Sequence, residues 1–302
     1  MKGLIRNLLN SNPLTRQLIL KPLQTRNLHR YYISQLSLPD LDEESRAIWM
    51  ERIRKVKVSS DNAKIKHVAD AGALRCGKLV MHNGLVIDPL SYYGAPVMRM
   101  LMENNAIHEP QEEYVFQEVL NFMPQGAIML ELGCYWGFYS MWFASKVKNG
   151  RNFLIDNYDG ISRAKENFEM NKLDATFMAG YIGKDKIDSP IPVTNVDRIC
   201  SEQNIPFIDL LHSDIQGYEL EMLQTMSNMI SKRAIGFIFI STHSQELHYG
   251  CIDYLKENGY QILCHADIEE SFSEDGLIVA KELSYKGPNS FSISSRKIED
   301  RK

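Results

Sequence analysis

Two glycines four residues apart, an acid 19 residues further on, and two histidines set beside acids are the groups in this 302-residue chain with the means to do chemistry. Gly133 and Gly137 interrupt an apolar and aromatic run, IMLELGCYWGFYSMWF (128–143), with the acid Glu131 just ahead of them. Glycine lets the backbone approach a ligand closely, and the start of a following helix presents free N–H groups. A strand, a glycine turn and a helix in that order therefore make a nucleotide-type pocket. The alternative is an ordinary strand-to-helix turn with no ligand, since isolated glycine patterns are weak signals. Asp156 ends the next apolar run. A carboxylate at that place accepts hydrogen bonds from the two vicinal hydroxyls of a ribose. Its competing role is a helix cap, which Asp159 fills better. Further on, HSDIQGYE (212–219) carries His212, Asp214, Gln216 and Glu219, and Ser241-Thr242-His243 carries the second histidine.

Alternating short apolar runs and amphipathic segments position these groups. The runs at 128–130, 152–155, 175–179, 207–211 and 235–240 read as strands, and helices follow at 138–148, 159–171, 196–203, 219–230 and 245–258. Two last strands, 260–265 and 276–280, are joined by an acidic loop and suit an antiparallel pair that closes the sheet. Ahead of the first strand, Pro110, Glu112 and Glu113 fit the first turn of a helix with an apolar face at Tyr114, Phe116, Val119, Leu120 and Met123. Glu109 and Gln111 at its start either reach the mouth of the pocket or cap the helix. Residues 78–93 read as a hairpin around Asn83-Gly84, and 40–57 as a helix with acids first and bases last. The fold class is α/β: a Rossmann-like, seven-stranded, mostly parallel sheet with an antiparallel final strand and a helical N-terminal extension. Ligands in such sheets bind at the carboxyl ends of the strands. Glu131 to Gly137, Asp156, Tyr181, His212 to Glu219 and His243 all fall on that one edge.

The expected division is a basic helical extension (1–77), a hairpin on the acceptor side (78–104), the catalytic domain (105–285) and a flexible polar tail (286–302). Hydrophobic content of 44% and charged content of 24% are ordinary for a globular protein. Residues 1–39 hold six basic residues and no acid. Such a segment is a transit peptide, an arm that touches a membrane surface, or a helical extension that packs on its own domain or a partner; the last reading is preferred. Beyond it the chain is net acidic, which disfavours nucleic acid as a partner. No apolar run has the roughly 18–20 residues needed to span a bilayer. Five cysteines without a CxxC pair argue against a disulfide framework or a cysteine zinc site, and suit a reducing, cytoplasmic compartment.

The segment ELGCYWG, the stretch VDRICSEQNIPF and the following IDLLHSDIQGYELEML together resemble the FkbM family of S-adenosylmethionine-dependent methyltransferases, over about residues 105–282. The resemblance implies that Glu131, Gly133, Cys134, Tyr135 and Gly137 cradle the methionine and ribose portions of the cofactor. It implies that Asp156 takes the ribose hydroxyls and that Tyr181 lies against the adenine. Two departures stand out. Tyr135 replaces a usual glycine, and Gln216 stands where many members have Glu, removing one negative charge. Methyl transfer to a hydroxyl needs the partners held close and a proton removed. His212 and Asp214, with Gln216, Glu219 and His243, stand where that catalysis belongs, and histidine suits a base at neutral pH. Related O-methyltransferases bind a divalent ion between these two strand ends, so Asp214 and His243 are also candidate ligands for Mg²⁺ or another divalent cation. The acceptor expected is a small molecule, sugar or glycan, its pocket formed by residues 78–110 and 185–192. Two other readings stay open: a non-catalytic scaffold of the same fold, and a nicotinamide oxidoreductase, which the two closing strands disfavour.

Overall fold

The computed structural model describes residues 13–183 and 191–299. In chain order the helices are α1 (Pro13–Gln35), α2 (Glu43–Val58), α3 (Ala95–Glu103), α4 (Pro110–Leu120), α5 (Phe138–Lys146), α6 (Tyr158–Asn171), α7 (Val196–Glu202), α8 (Glu219–Thr225), α9 (Ser227–Ser231), α10 (Gln245–Glu257) and α11 (Arg296–Glu299). The strands are β1 (Leu74–Arg75), β2 (Lys78–Val80), β3 (Val86–Ile87), β4 (Ile128–Leu132), β5 (Arg151–Asp156), β6 (Thr176–Ala179), β7 (Tyr181–Ile182), β8 (Val193–Thr194), β9 (Ile208–Ser213), β10 (Ile235–Thr242), β11 (Tyr260–Ala266) and β12 (Gly276–Glu282).

Seven strands form the central sheet in the order β11-β12-β10-β9-β4-β5-β6. The strands from β6 to β10 pair in parallel, while β12 runs antiparallel to both its neighbours, β10 and β11. The antiparallel final strand is thus inserted inside the sheet and leaves β11 at the edge. A strand covered on both faces is buried along its length, as β4 is at every position, with Glu131 its one polar residue. Alternate side chains serve opposite layers. Met129, Leu154, Leu210 and Phe239 pack in one layer, and Leu130, Ile155, Leu211 and Ile240 in the other. The chain crosses from β4 outward to β5 and β6, then returns to place β9 and β10 on the other side. The crevice for a ligand lies at that reversal, beyond the carboxyl ends of β4 and β9.

Helix α2 starts at the N-cap Asp42, whose carboxylate accepts from Ser45 N at 2.7 Å. The hairpin around Asn83-Gly84 forms as β2–β3, with β1 added on its outer side. The helix expected over 219–230 breaks at Met226 into α8 and α9. Helix α3 has no counterpart in the sequence reading. Residues 286–299, read there as a flexible tail, are anchored instead. Phe291 N donates to Leu263 O, Ser294 N and Oγ to Asp61 Oδ2, and Gln111 Nε2 to Ser294 O. The end of the basic segment also packs down: Leu38 is buried and Arg99 donates to Leu36 O. Residues 1–12, and most of the loop assigned to the acceptor pocket, lie outside the described residues. Among the described residues no helix is long and apolar enough to cross a membrane.

Candidate active site

A cavity of about 330 Å³ crosses the ends of β4, β5 and β6, lined by Gly133, Tyr135, Asp156, Gly180, Tyr181 and Asp214 among others. Each glycine of the turn has its own reason. Gly133 has φ +74°, and a Cβ there would overlap the carbonyl oxygen of Asp214, so the loops after β4 and β9 close only over a glycine. Gly137 caps α5 in the left-handed region at φ +73° and packs on Ala164, Phe168 and Leu154. It is not among the residues that line the cavity, and its place is in the turn. Tyr135 keeps the left-handed backbone of the glycine it replaces, at φ 41°. Its ring stands at the cavity wall, 5.2 Å from the Tyr93 ring and 5.5 Å from the Arg163 guanidinium, and leaves the cavity open.

Asp156 is held by the turn it serves. Its Oδ2 accepts from Tyr135 N at 2.7 Å and its Oδ1 from Asn157 N at 2.6 Å. Burial raises its pKa, and those two N–H groups act against the rise. Gly160, which the sequence reading passed over, makes the room: a Cβ there would stand 2.5 Å from Asp156 Cγ. Each carboxylate oxygen keeps a lone pair for a vicinal diol. Ile155, Tyr181 and Ile182 give the far end of the cavity an apolar wall that suits a purine. Asp156 and this wall leave room for a ribose and a purine side by side. Cys134 and Glu131 lie deeper and line a narrow recess behind Tyr135. Glu131 is buried, accepts from Ser140 N, and is pushed up to about 7 by that burial.

The histidines take places that sequence could not give them. His212 is 3% exposed, with Nε2 2.8 Å from Glu112 Oε1 and Nδ1 3.8 Å from Glu131 Oε1. Burial disfavours its charge, but the hydrogen bond and charge of Glu112 prevail and raise its pKa to about 9. His212 is thus a buried partner of Glu112, whose own pKa burial raises, and its ring lines the recess rather than the cavity. His243 stands among three carboxylates. Its Nδ1 lies 2.9 Å from Glu219 Oε1, and its Nε2 lies 3.2 Å from Asp214 Oδ1 and 3.3 Å from Asp275 Oδ1. Burial again opposes the charge, and hydrogen bonds to Asp214 and Glu219 raise the pKa to about 10. Asp214 and His243 thus meet as an ion pair. Among the described residues no group of three or more His, Cys, Asp or Glu side chains is arranged to hold a metal ion. The divalent-cation expectation gains no support.

Around this pair, Gln216 Nε2 donates to Asp214 Oδ1 at 2.9 Å, a bond that a glutamate at 216 would replace with repulsion between like charges. Glu219 is fully buried and accepts from Gly217 N, which fixes the turn. Asp275, in the acidic loop before β12, is the group the sequence reading missed. Burial and the charge of Asp214 push it up to about 7, against the pull of His243. The only signal for it was the loop's acidity, which does not say which acid turns inward. Glu109 reaches the recess and accepts from Tyr139 Oη at 2.8 Å. Gln111 does not: its Oε1 accepts from Phe272 N and anchors the same acidic loop.

A comparison with curated proteins finds no match. Among solved structures the chain is similar to a putative rRNA methylase from Clostridium thermocellum, at 14% identity and a TM-score of 0.44, over 58% of this chain and 97% of that one. It is also similar to precorrin-6y C5,15-methyltransferase from Geobacter metallireducens, at 13% identity and 0.40, over 56% and 89%. A third is TrmK of M. capricolum in complex with S-adenosyl-homocysteine, at 14% and 0.41, over 58% and 70%. The family described as the methyltransferase FkbM domain matches residues 75–262. With more than half its length matched, the chain belongs to the FkbM methyltransferase family and is a methyltransferase.

Proposed function

We propose that the protein is an S-adenosylmethionine-dependent O-methyltransferase acting on a hydroxyl of a small molecule, sugar or glycan. The observation that carries this is Asp275 held against His243 and Asp214 at the ends of β9 and β10, beside the cofactor cavity. A carboxylate tuned to about 7 is matched to removing a hydroxyl proton at neutral pH. S-adenosylmethionine, when bound, supplies an electrophilic methyl group. Asp275 takes the acceptor's proton, and the charged His243 keeps Asp275 and Asp214 in register. Asp214 and Glu109 offer acceptors for further hydroxyls, which favours a polyhydroxylated substrate over an anionic one. Gly133 and Asp156 hold the cofactor, and Tyr92 and Tyr93 close the cavity from the hairpin side.

The test is calorimetric titration of the purified protein with S-adenosylhomocysteine, followed by transfer of labelled methyl groups to a panel of sugar and phenolic hydroxyls. Micromolar binding that is lost in Asp156→Ala, together with turnover that Asp275→Asn abolishes, is the expected result. Binding without turnover on any acceptor favours the scaffold reading. No binding under any condition overturns the assignment of the cavity.

A further inference from the structure

A second cleft, of about 400 Å³, shares no lining residue with the cofactor cavity or its recess. It opens between residues 66–68, the β2–β3 turn and helices α4 and α5. Lys66, His67, His82, Asn83, Trp142 and Lys146 line it, and no Asp or Glu does. Neither lysine has an ion-pair partner among the described residues. Two acceptors of the wall are already taken: Asn83 Oδ1 by Leu85 N at 3.1 Å, and Gln117 Oε1 by Lys66 N at 2.8 Å. Asn83 Nδ2 is buried without a partner. His82 is wholly buried, its Nε2 sits 2.8 Å from Glu113 Oε2, and its Nδ1 has no partner. Glu113 is in turn fixed by His108 Nδ1 at 2.6 Å, so the ring cannot turn to pair both nitrogens with this carboxylate.

Two unpaired ammonium groups and the unsatisfied amide of Asn83, with no competing acid, select an anion. Two point charges suit a dianion, and lysine binds phosphate in this manner. The cleft is far larger than a phosphate ion and falls in the range of small-ligand sites. Trp142 and Leu120 give it an apolar wall for an organic remainder. We propose that this cleft is a second binding site, for a small organic phosphate, separate from the site of methyl transfer.

The test uses the full chain saturated with S-adenosylhomocysteine and titrated with phenyl phosphate at low ionic strength, with phenol and inorganic phosphate as the comparison ligands. One-to-one binding of phenyl phosphate, weaker binding of inorganic phosphate and none of phenol are expected. Lys66→Glu and Lys146→Glu should each weaken it about tenfold or more, as loss of a charged contact does. Both variants should bind S-adenosylhomocysteine as the parent does, which shows that they are folded and keeps this test independent of the methyltransferase assignment. No heat up to about 10 mM phenyl phosphate, an affinity near the −3 kcal/mol limit of detection, overturns the proposal. So does binding that both lysine variants retain unchanged.

Discussion

Gly160→Ala sets two physical effects against each other, and the geometry decides between them. Gly160 lies in the first turn of α6, outside the left-handed region, so alanine fits its backbone. Helix propensity alone then predicts stabilisation by about 1 kcal/mol. The new Cβ, however, would stand 2.5 Å from Asp156 Cγ and 2.7 and 2.8 Å from its two oxygens. All three are too close, so the carboxylate must swing away. It then loses the N–H of Tyr135 at 2.7 Å and that of Asn157 at 2.6 Å. Hydrogen bonds to a charged group contribute about 1.5–3 kcal/mol each, so the pair is worth about 3–6 kcal/mol. Water can reach part of this site, which trims the loss. Set against the helix gain, the net expectation is destabilisation by about 2–4 kcal/mol. Urea unfolding followed by circular dichroism measures it, and calorimetry with S-adenosylhomocysteine should show affinity lower by about tenfold or more, since the displaced carboxylate no longer meets the ribose. A variant more stable than the parent, with unchanged affinity, would refute the claim that Asp156 is held in place for a ligand.

Three further outcomes are expected. Asp275→Asn should lower kcat by about 10²–10⁴ with S-adenosylhomocysteine affinity retained, and the rise of rate through about pH 7 should vanish from the pH profile; an unchanged profile assigns the base elsewhere. Gly133→Ala forces alanine to φ +74° and drives its Cβ into the Asp214 carbonyl, so destabilisation above about 3 kcal/mol is expected in denaturant titrations. Folded His243 and His212 have pKa values raised to about 10 and 9. Their contribution to stability is complete below the unfolded value of about 6.5 and is lost as pH climbs toward 9–10. Thermal melting should therefore fall across that window, and less steeply in His243→Gln; an equal fall in both proteins would show that the pair does not govern it.

The sheet was legible because its signals are local. Apolar runs of strand length alternate with amphipathic helices, and the turn after Leu132 announces itself by glycine. The strand order places Asp156, Asp214 and His243 on one edge before any coordinate is known. Tyr135 marks the limit of that reading. Sequence shows that it replaces a usual glycine, but not that the backbone keeps the glycine-like φ of 41° or that the ring lies at the cavity wall against Tyr93.

Protonation was not legible, because it is set by groups far off in sequence. His212 is recast by Glu112, 100 residues earlier, and His243 by Asp214 and Glu219 at the end of another strand and then by Asp275, in the acidic loop that joins β11 to β12. The chemistry at the two strand ends follows from this. His212, expected as a base, and His243, expected as a metal ligand, are both paired with buried acids, and the base we propose is instead the carboxylate that burial and a like-charged neighbour push up to about 7. A lone histidine beside an acid in sequence has the right pKa for a base only while it remains unpaired. Three carboxylates surround the ring of His243, and Asp275, one of them, is the group we propose takes the acceptor's proton.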